Sequence, residues 1–576
     1  MDRLKRKKAI ANKIGTATEI LERYKRGRVN LENRIISEEK AWRLKMWGEA
    51  SRENGITPSS SAYMWNAVVN KHADIMDNYP VPSFLPREES DKEEAEILSD
   101  VIPVILERND FEETYSNAAW YKLKHGTSCF GVFWDKDKDN GIGDISVKNI
   151  DLLRIFWDPT VSDIQKSPNL FICAAIDKDA LKEMYPDKEI SFDRTTLTEY
   201  ESEDSIDRSN QCMVVDWYYK KREGGKTLLH FCKYTGNTVL YSSEDDERYK
   251  KSGYYDHGLY PVVFDTLYPE ADQITGHGVI SVTKGAQEYI DCLDGLLMNY
   301  AKKATTPRWF KKKDVGINEK EFADWGKPFV SVSGDISEER FQQITMTPLN
   351  GIYYSLLERK ISELKETVGN RDINSGGTSS GVNSGAAIAT LQEAGNKTSR
   401  DAIKTSYRSY IKVVEMVVEL MRQFYTTERT FRIVKPNEGV KFISYSNKDI
   451  IPKEIKGPGN TMLTGGDGVS LKRKPVFDIC VKAEKNNPYS KLSQNETASN
   501  LYRMGIFNED NMREAMIMLS MMDFDGKDEI MKKISEGKYE KGEKTSNYNI
   551  DNGAETYNPL DTARLNSENA VTKRGV

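Results

Sequence analysis

The sequence predicts an α+β fold, on three observations. Two segments, about 278–303 and 349–367, carry apolar residues at helical spacing. A stretch from Ser128 to Tyr241 is rich in β-branched and aromatic runs broken by Gly, Asp and Asn. A third helical pattern runs from a cap at Ser384 to about Tyr425, which at about 1.5 Å per residue is a rod of roughly 60 Å.

Taken in order, residues of about 10–53 read as mainly helical, and Ser61–Asn78 as a further helix that Tyr79-Pro80 and Pro82 terminate. The helical pattern continues over Glu88–Lys124, with Pro103 as its expected kink or break. Then the period changes: CFGVFW, DISVKNI, LRIFWD, FICAAI, MVVDWYY, TLLHFCKY and NTVLYSS read as strands. Val282, Ala286, Tyr289, Leu293, Leu296 and Tyr300 form the stripe of one helix, and Tyr353, Leu357, Ile361, Leu364 and Val368 that of the next. On spacing alone these two helices pair as a hairpin, with the insert Ala304–Pro348 between them. After the long helix, TFRIV, VKFISYS and VFDICVK return to strand character and are expected to complete the same body. Residues of about 487–535 read as a separate helical unit. The chain beyond Gly537, sparse in apolar residues, is expected to be disordered in isolation.

A length of 576 residues allows several domains, and a charged fraction of 30% with 38% hydrophobic residues describes a polar chain. No run approaches the roughly 18 to 20 apolar residues that cross a bilayer, and MDRLKRKKAIANKIG lacks the apolar stretch of a secretory signal, so no membrane association and synthesis inside the cell are expected. The six cysteines are scattered without a CxxC pair and read as reduced, packed thiols. A net charge of −6 argues against holding nucleic acid mainly by charge neutralisation. The basic start at Arg3 and Lys5–Lys8 and the acidic clusters Glu199–Asp207 and Glu244–Glu247 read as solvated arms or loops.

The motifs of catalysis fall away one by one. DKDKDNG at Asp135–Gly141 places Asn140 where a calcium loop needs glycine, and Ser146 where it needs a bidentate Glu, so it reads as a hairpin turn. There is no GxxxxGK[ST] to cradle phosphates, and Gly276-His277-Gly278 lacks the third glycine of a dinucleotide site and reads as a hinge entering a helix. His72, His125, His230, His257 and His277 make no HExxH or HxxxH set, and Glu363, Glu366 and Asp372 read as solvated helix-face charges. No catalytic residue, metal site or cofactor is expected.

Two segments carry interaction chemistry instead. Gly369–Gly385, GNRDINSGGTSSGVNSG, holds five glycines and four serines with only Ile373 and Val382 as sizeable apolar side chains. It cannot offset its ordering entropy by burial and is expected to be flexible and accessible. In the insert, Trp309, Phe310, Lys311–Lys313, Phe322, Trp325, Phe329 and Phe341 interleave basic and aromatic residues, a pattern that suits nucleic acid or a protein interface, the interface being preferred.

The order of elements, with GVNSGAAIATLQEAG at Gly381–Gly395, WNAVVNKHADIMDNYPVPSFLPRE leading to HGTSCFGVFWD, and LRIFWDPTVSDI, resembles the portal (head-to-tail connector) proteins of tailed bacteriophages over nearly the whole chain. The resemblance implies a dodecameric ring around a DNA channel at the capsid vertex of the virion, assembled in the host cytoplasm. By position it implies an N-terminal arm and helices (1–53), a wing (54–277), a first stem helix (278–303), a clip (304–348) and a second stem helix (349–369). A tunnel loop (370–385), a long wing helix (386–425), wing strands (426–486), a helical crown (487–536) and a tail (537–576) follow. Asn370, Arg371, Asn374, Ser375, Thr378, Ser379, Ser380 and Asn383 would face DNA. Arg308, Trp309, Phe310, Lys311, Lys312, Lys313 and Trp325 would dock partners. The implied partners are double-stranded DNA read without sequence specificity, the terminase large subunit, the major capsid protein, scaffolding protein and a head-tail adaptor. Two rival readings are a DNA-processing enzyme such as a terminase or nuclease, and a monomeric helical adaptor without a pore.

Overall fold

The seven strand-like segments between Ser128 and Tyr241 all form in this computed structural model, yet they divide between two sheets. The structure describes residues 2–47, 58–193, 197–201, 207–305, 308–311, 316–323, 329–333, 341–344, 348–369, 397–435, 439–454 and 472–485, with a few helical positions between 499 and 520. The chain separates into two compact units, 1–487 and 488–576, and the elements below belong to the first. The expected helical crown lies almost wholly outside the described residues, and the expected tail lies wholly outside them.

Two helices come first, α1 (Asp2–Arg26) and α2 (Val29–Trp42). The basic run, expected as a solvated arm, is therefore the opening of a helix. Further along α1, Ile14, Ala17, Leu21 and Tyr24 fall on one face and bury in a cluster with Phe171, Val215 and Trp217, which commits the segment to helix. The acidic clusters are also not free. Lys13 meets Glu244 at 2.5 Å and Arg154 meets Glu199 at 3.2 Å.

Helix α3 (Tyr63–Met76) stops where the prolines predict, but Asn78–Pro86 then forms strand β1, antiparallel to Phe477–Lys485. Pro80 and Pro82 lack N–H groups, which a strand paired along one edge tolerates. Pro103 does not break the following helix. It lies inside α4 (Lys92–Glu107), and the break falls at 108–110, where Asp110 adopts a left-handed backbone (φ 48°) before α5 (Phe111–His125). The proline costs the helix about 3 kcal/mol, whereas Val101, Ile102, Ile105 and Leu106 bury around it at about 1.5–3 kcal/mol each, so burial wins.

Strands β2 (Thr127–Asp135) and β3 (Asp144–Asn149) form a hairpin around DKDKDNG, the turn that the displaced glycine predicts. β4 (Ile155–Trp157), β5 (Asn169–Asp177), β6 (Gln211–Glu223), β7 (Lys226–Thr235) and β8 (Thr238–Ser242) make a five-stranded antiparallel meander. The first sheet is completed by β9 (Val262–Thr266), which pairs with β2; five residues beside Pro261 were too short a run to read as a strand. Cys129, Cys173, Cys212 and Cys232 are buried thiols as expected, but Cys480 is exposed and Cys292 only half-buried.

Long elements complete the unit: α6 (Val279–Thr305), α7 (Ile352–Val368) and α8 (Lys397–Phe424). The described 28 residues of α8 span about 42 Å. Among the described residues the returning segments Arg429–Lys435 and Gly439–Tyr445 pair only with each other, but Phe431, Ile433 and Tyr445 enter the main core with Val413, Val417 and Met421 of α8. They rejoin the same body without extending either large sheet.

Helix α2 is tied to α5 by a buried ionic cluster. His125 lies 3.2 Å from Glu38 and 3.4 Å from Glu39, and Lys124 meets Glu39 at 2.7 Å. Burial pushes the Glu39 carboxyl up, but contact with His125 and the hydrogen bond from Lys124 outweigh it and hold it at about 2, against an ordinary 4.5. Its ionised form therefore stabilises the fold by about 3 kcal/mol above pH 4.5, and that contribution is lost as pH falls from 4.5 toward 2. Glu39→Gln is expected to be less stable than the parent in urea at neutral pH, with the gap closing below about pH 4. A gap independent of pH would refute this assignment.

Candidate functional site

The helix pair α6–α7 carries the largest group of exposed apolar side chains among the described residues. The two run antiparallel: Lys360 of α7 sits 5.4 Å from the centre of the Tyr289 ring, while Tyr300 and Lys303 of α6 share a groove of about 330 Å³ with Leu349 and Tyr353. At the body end Val279 and Ile280 of α6 and Leu364 and Val368 of α7 are buried. Toward the insert the pair becomes progressively exposed.

Helical spacing identified the right helices and did not say which way the stripe on α6 faces. Val282, Tyr289 and Leu296 are exposed, Tyr289 at 64% although Lys360 of α7 lies over its ring, together with Met298. On α7 the exposed large apolar residues are Ile352, at 63% exposure, with Tyr353, Tyr354 and Leu356. The buried side of α6 is instead Thr283, Gln287, Ile290, Asp291 and Gly295. Eight large apolar side chains thus stand in solvent on two adjacent helices, far more than scattered surface residues would give.

The inward face is held by polar contacts. Asp291 is fully buried; Oδ1 accepts from the Ser61 amide (3.1 Å), the Ser61 hydroxyl (2.7 Å) and Gln287 Nε2 (2.8 Å), and Oδ2 accepts from Trp47 Nε1 (3.1 Å). Gln287 Oε1 accepts from the Met64 amide at 3.0 Å. The chain entering α3 is therefore pinned to α6 by a carboxylate with four donors. The supposed hinge Gly276–Gly278 is a close-packed joint. A Cβ on Gly278 would come within 2.6 Å of the Lys124 carbonyl, and Gly126 opposite it has φ +80°.

The described residues on either side of the glycine/serine segment are anchored. Before it, α7 closes at Gly369 (φ 75°), behind buried Val368. After it, the start of α8 is seated on charges: Lys71 Nζ donates to Ser399 Oγ at 2.7 Å, and Ser399 donates to Asp74 at 2.6 Å. One turn on, the fully buried Lys122 donates to Asp265 (2.8 Å), Thr405 Oγ1 (2.7 Å), Ser406 Oγ (2.8 Å) and the Ala402 carbonyl (3.0 Å). Burial pushes the Lys122 ammonium down, and Asp265 pulls it back. Sequence reasoning missed these clamps. The available signal was a lysine and an aspartate inside apolar runs, AAWYKLKH and PVVFDTL.

Of the expected DNA-facing residues, Asn370, Arg371, Asn374, Ser375, Thr378, Ser379, Ser380 and Asn383 lie outside the described residues. In the insert, Arg308, Trp309, Phe310 and Lys311 share one strand paired with Phe341–Ile344, and Trp309 is half-buried, edge-on to Phe322 at 5.9 Å. Lys312, Lys313 and Trp325 lie outside the described residues. Phe329 is 84% exposed. Among the described residues no group of His, Cys, Asp or Glu is placed to hold a metal ion, and no helix is long and apolar enough to cross a membrane.

No curated protein matches the chain significantly. A family model described as Phage P22-like portal protein matches residues 66–549, a span that takes in both sheets, the outward-facing helix pair and the clamped long helix. With well over half of its 576 residues covered, the chain belongs to the P22-like portal protein family of bacteriophages.

Proposed function

We propose that this chain closes into a ring-shaped channel at one vertex of the capsid, through which a separate terminase motor packages double-stranded DNA that is retained and later ejected. The observation that carries the reading is the outward apolar stripe on α6 and α7, a surface that a lone subunit leaves wet and that a neighbouring copy would cover. In this reading α6 and α7 are the stem. The insert 304–348 is the clip that docks the terminase large subunit and then a head-tail adaptor, and scaffolding and major capsid proteins meet the body. The subunit number proposed is twelve. Negatively stained particles should show rings with a central opening, and solution mass should far exceed 65.7 kDa; monomers alone would refute the reading.

The segment 370–385 is the proposed DNA-facing loop. Its Asn, Ser and Thr groups and single arginine, beside Asp372, offer weak exchangeable contacts. Every additional Lys or Arg on phosphate would strengthen a grip that a ring repeats, which would oppose sliding. Deleting Gly376–Gly381 is expected to leave rings intact, because the clamps on either side are untouched, while full-length genomes are packaged or retained poorly. DNA-filled heads at normal yield would count against the loop.

A further inference from the structure

A second surface of the body has the chemistry of a cation receptor. Between β1, α4 and α5 lies a groove of about 910 Å³ floored by Tyr79, Pro80, Pro82, Pro103, Phe111 and Tyr410. The three prolines bring no N–H donor to the lining, and Tyr79, Phe111 and Tyr410 bring aromatic rings, which favour a cation. The hydroxyl of Tyr410 is buried and has no hydrogen-bond partner among the described residues.

The rim is formed by Glu107, Asp110, Glu112 and Glu113, with no lysine or arginine in the lining. All four are exposed, and none has an ion pair or side-chain hydrogen bond among the described residues. Glu112 and Glu113 suit the first turn of α5, where the helix dipole favours acids. That does not explain the other two. Glu107 ends α4, where a carboxylate is disfavoured by the dipole, and Asp110 precedes α5 in a left-handed conformation without making a capping bond.

We propose that this groove receives the basic N-terminal segment, Arg3–Lys8, of a second copy of this chain. Five of those six residues are Arg or Lys, with Leu4 between them and Ile10 beyond, so the segment supplies cations for the rim and aliphatic groups for the floor. Closure of a ring needs heterologous contacts, in which one patch of each copy meets a different patch of the next, and an acidic groove with a basic segment is such a pair. The assignment to a second copy rests on the ring reading; the groove's preference for the segment does not.

The test uses the full-length chain with Lys5, Arg6, Lys7 and Lys8 each replaced by Gln, titrated with a fluorescent peptide of residues 1–11. Saturable binding is expected that weakens with salt, and that falls at least tenfold when Glu107→Gln, Glu112→Gln and Glu113→Gln are added. In a separate full-length chain carrying Cys480→Ser, Lys5→Cys and Glu113→Cys, oxidation should link chain to chain. Absent binding, or binding indifferent to the rim, overturns the groove even if rings are seen. A link confined to single chains, or no link, overturns the second copy as its occupant.

Discussion

Replacing Lys122 by methionine is expected to destabilise the chain by about 3–5 kcal/mol, the largest single-site effect in the fold. Methionine matches the stem of the lysine, so little volume is lost. What is lost is the only cation paired with Asp265 among the described residues, and its carboxylate would remain buried beside the Ser406 hydroxyl. The double variant Lys122→Met, Asp265→Leu should recover most of the loss, since a buried pair replaced as a unit is often close to neutral. Urea unfolding of the two variants beside the parent measures this. A single variant within about 1 kcal/mol of the parent would show that the pair is not buried as described. Loss of the clamp should also expose the start of α8 to limited proteolysis before the rest unfolds, because the next buried apolar side chains along α8 are Tyr410 and Val413.

The second large effect is on assembly. Leu296→Asp with Leu356→Asp places a carboxylate on each helix of the outward stripe, where both leucines are already exposed in the subunit. Subunit stability should therefore change by less than about 0.5 kcal/mol. In a ring, each leucine would contribute about 1.5–3 kcal/mol of burial, and each aspartate would pay to desolvate a charge, repeated at every junction. Mass photometry or sedimentation should show the assembled species replaced by 65.7 kDa subunits with unchanged circular dichroism. Rings that persist at parental concentration would remove the stripe from the interface.

The sequence carried the secondary structure well where a run was long. The paired helices were expected at 278–303 and 349–367 and occur at Val279–Thr305 and Ile352–Val368. It failed where a local cue was overruled from a distance. Pro103 and the Pro80, Pro82 pair are strong breakers locally, but α4 is kept whole by apolar burial on both sides of its proline, and β1 is kept extended by nine paired positions with Phe477–Lys485. The candidate surface was legible as a list of residues and illegible as a direction. Val282, Tyr289 and Leu296 were picked out correctly by spacing, and nothing in spacing says whether such a stripe meets the same subunit or another.

By itself the sequence determined the α+β class, the hairpin of two helices around an insert, the polar glycine/serine segment and the family, because periodicity, composition and matching motifs are properties of the chain in order. Only the tertiary structure decided which side of α6 is inward, how the two sheets divide the strands, and that Lys122, Asp265, Gln287 and Asp291 are fastenings of the fold. Those facts depend on pairs of groups more than a hundred residues apart, such as Lys122 with Asp265 or Ser61 with Asp291. A polar group becomes a buried clamp only when folding has removed its water and delivered the partner.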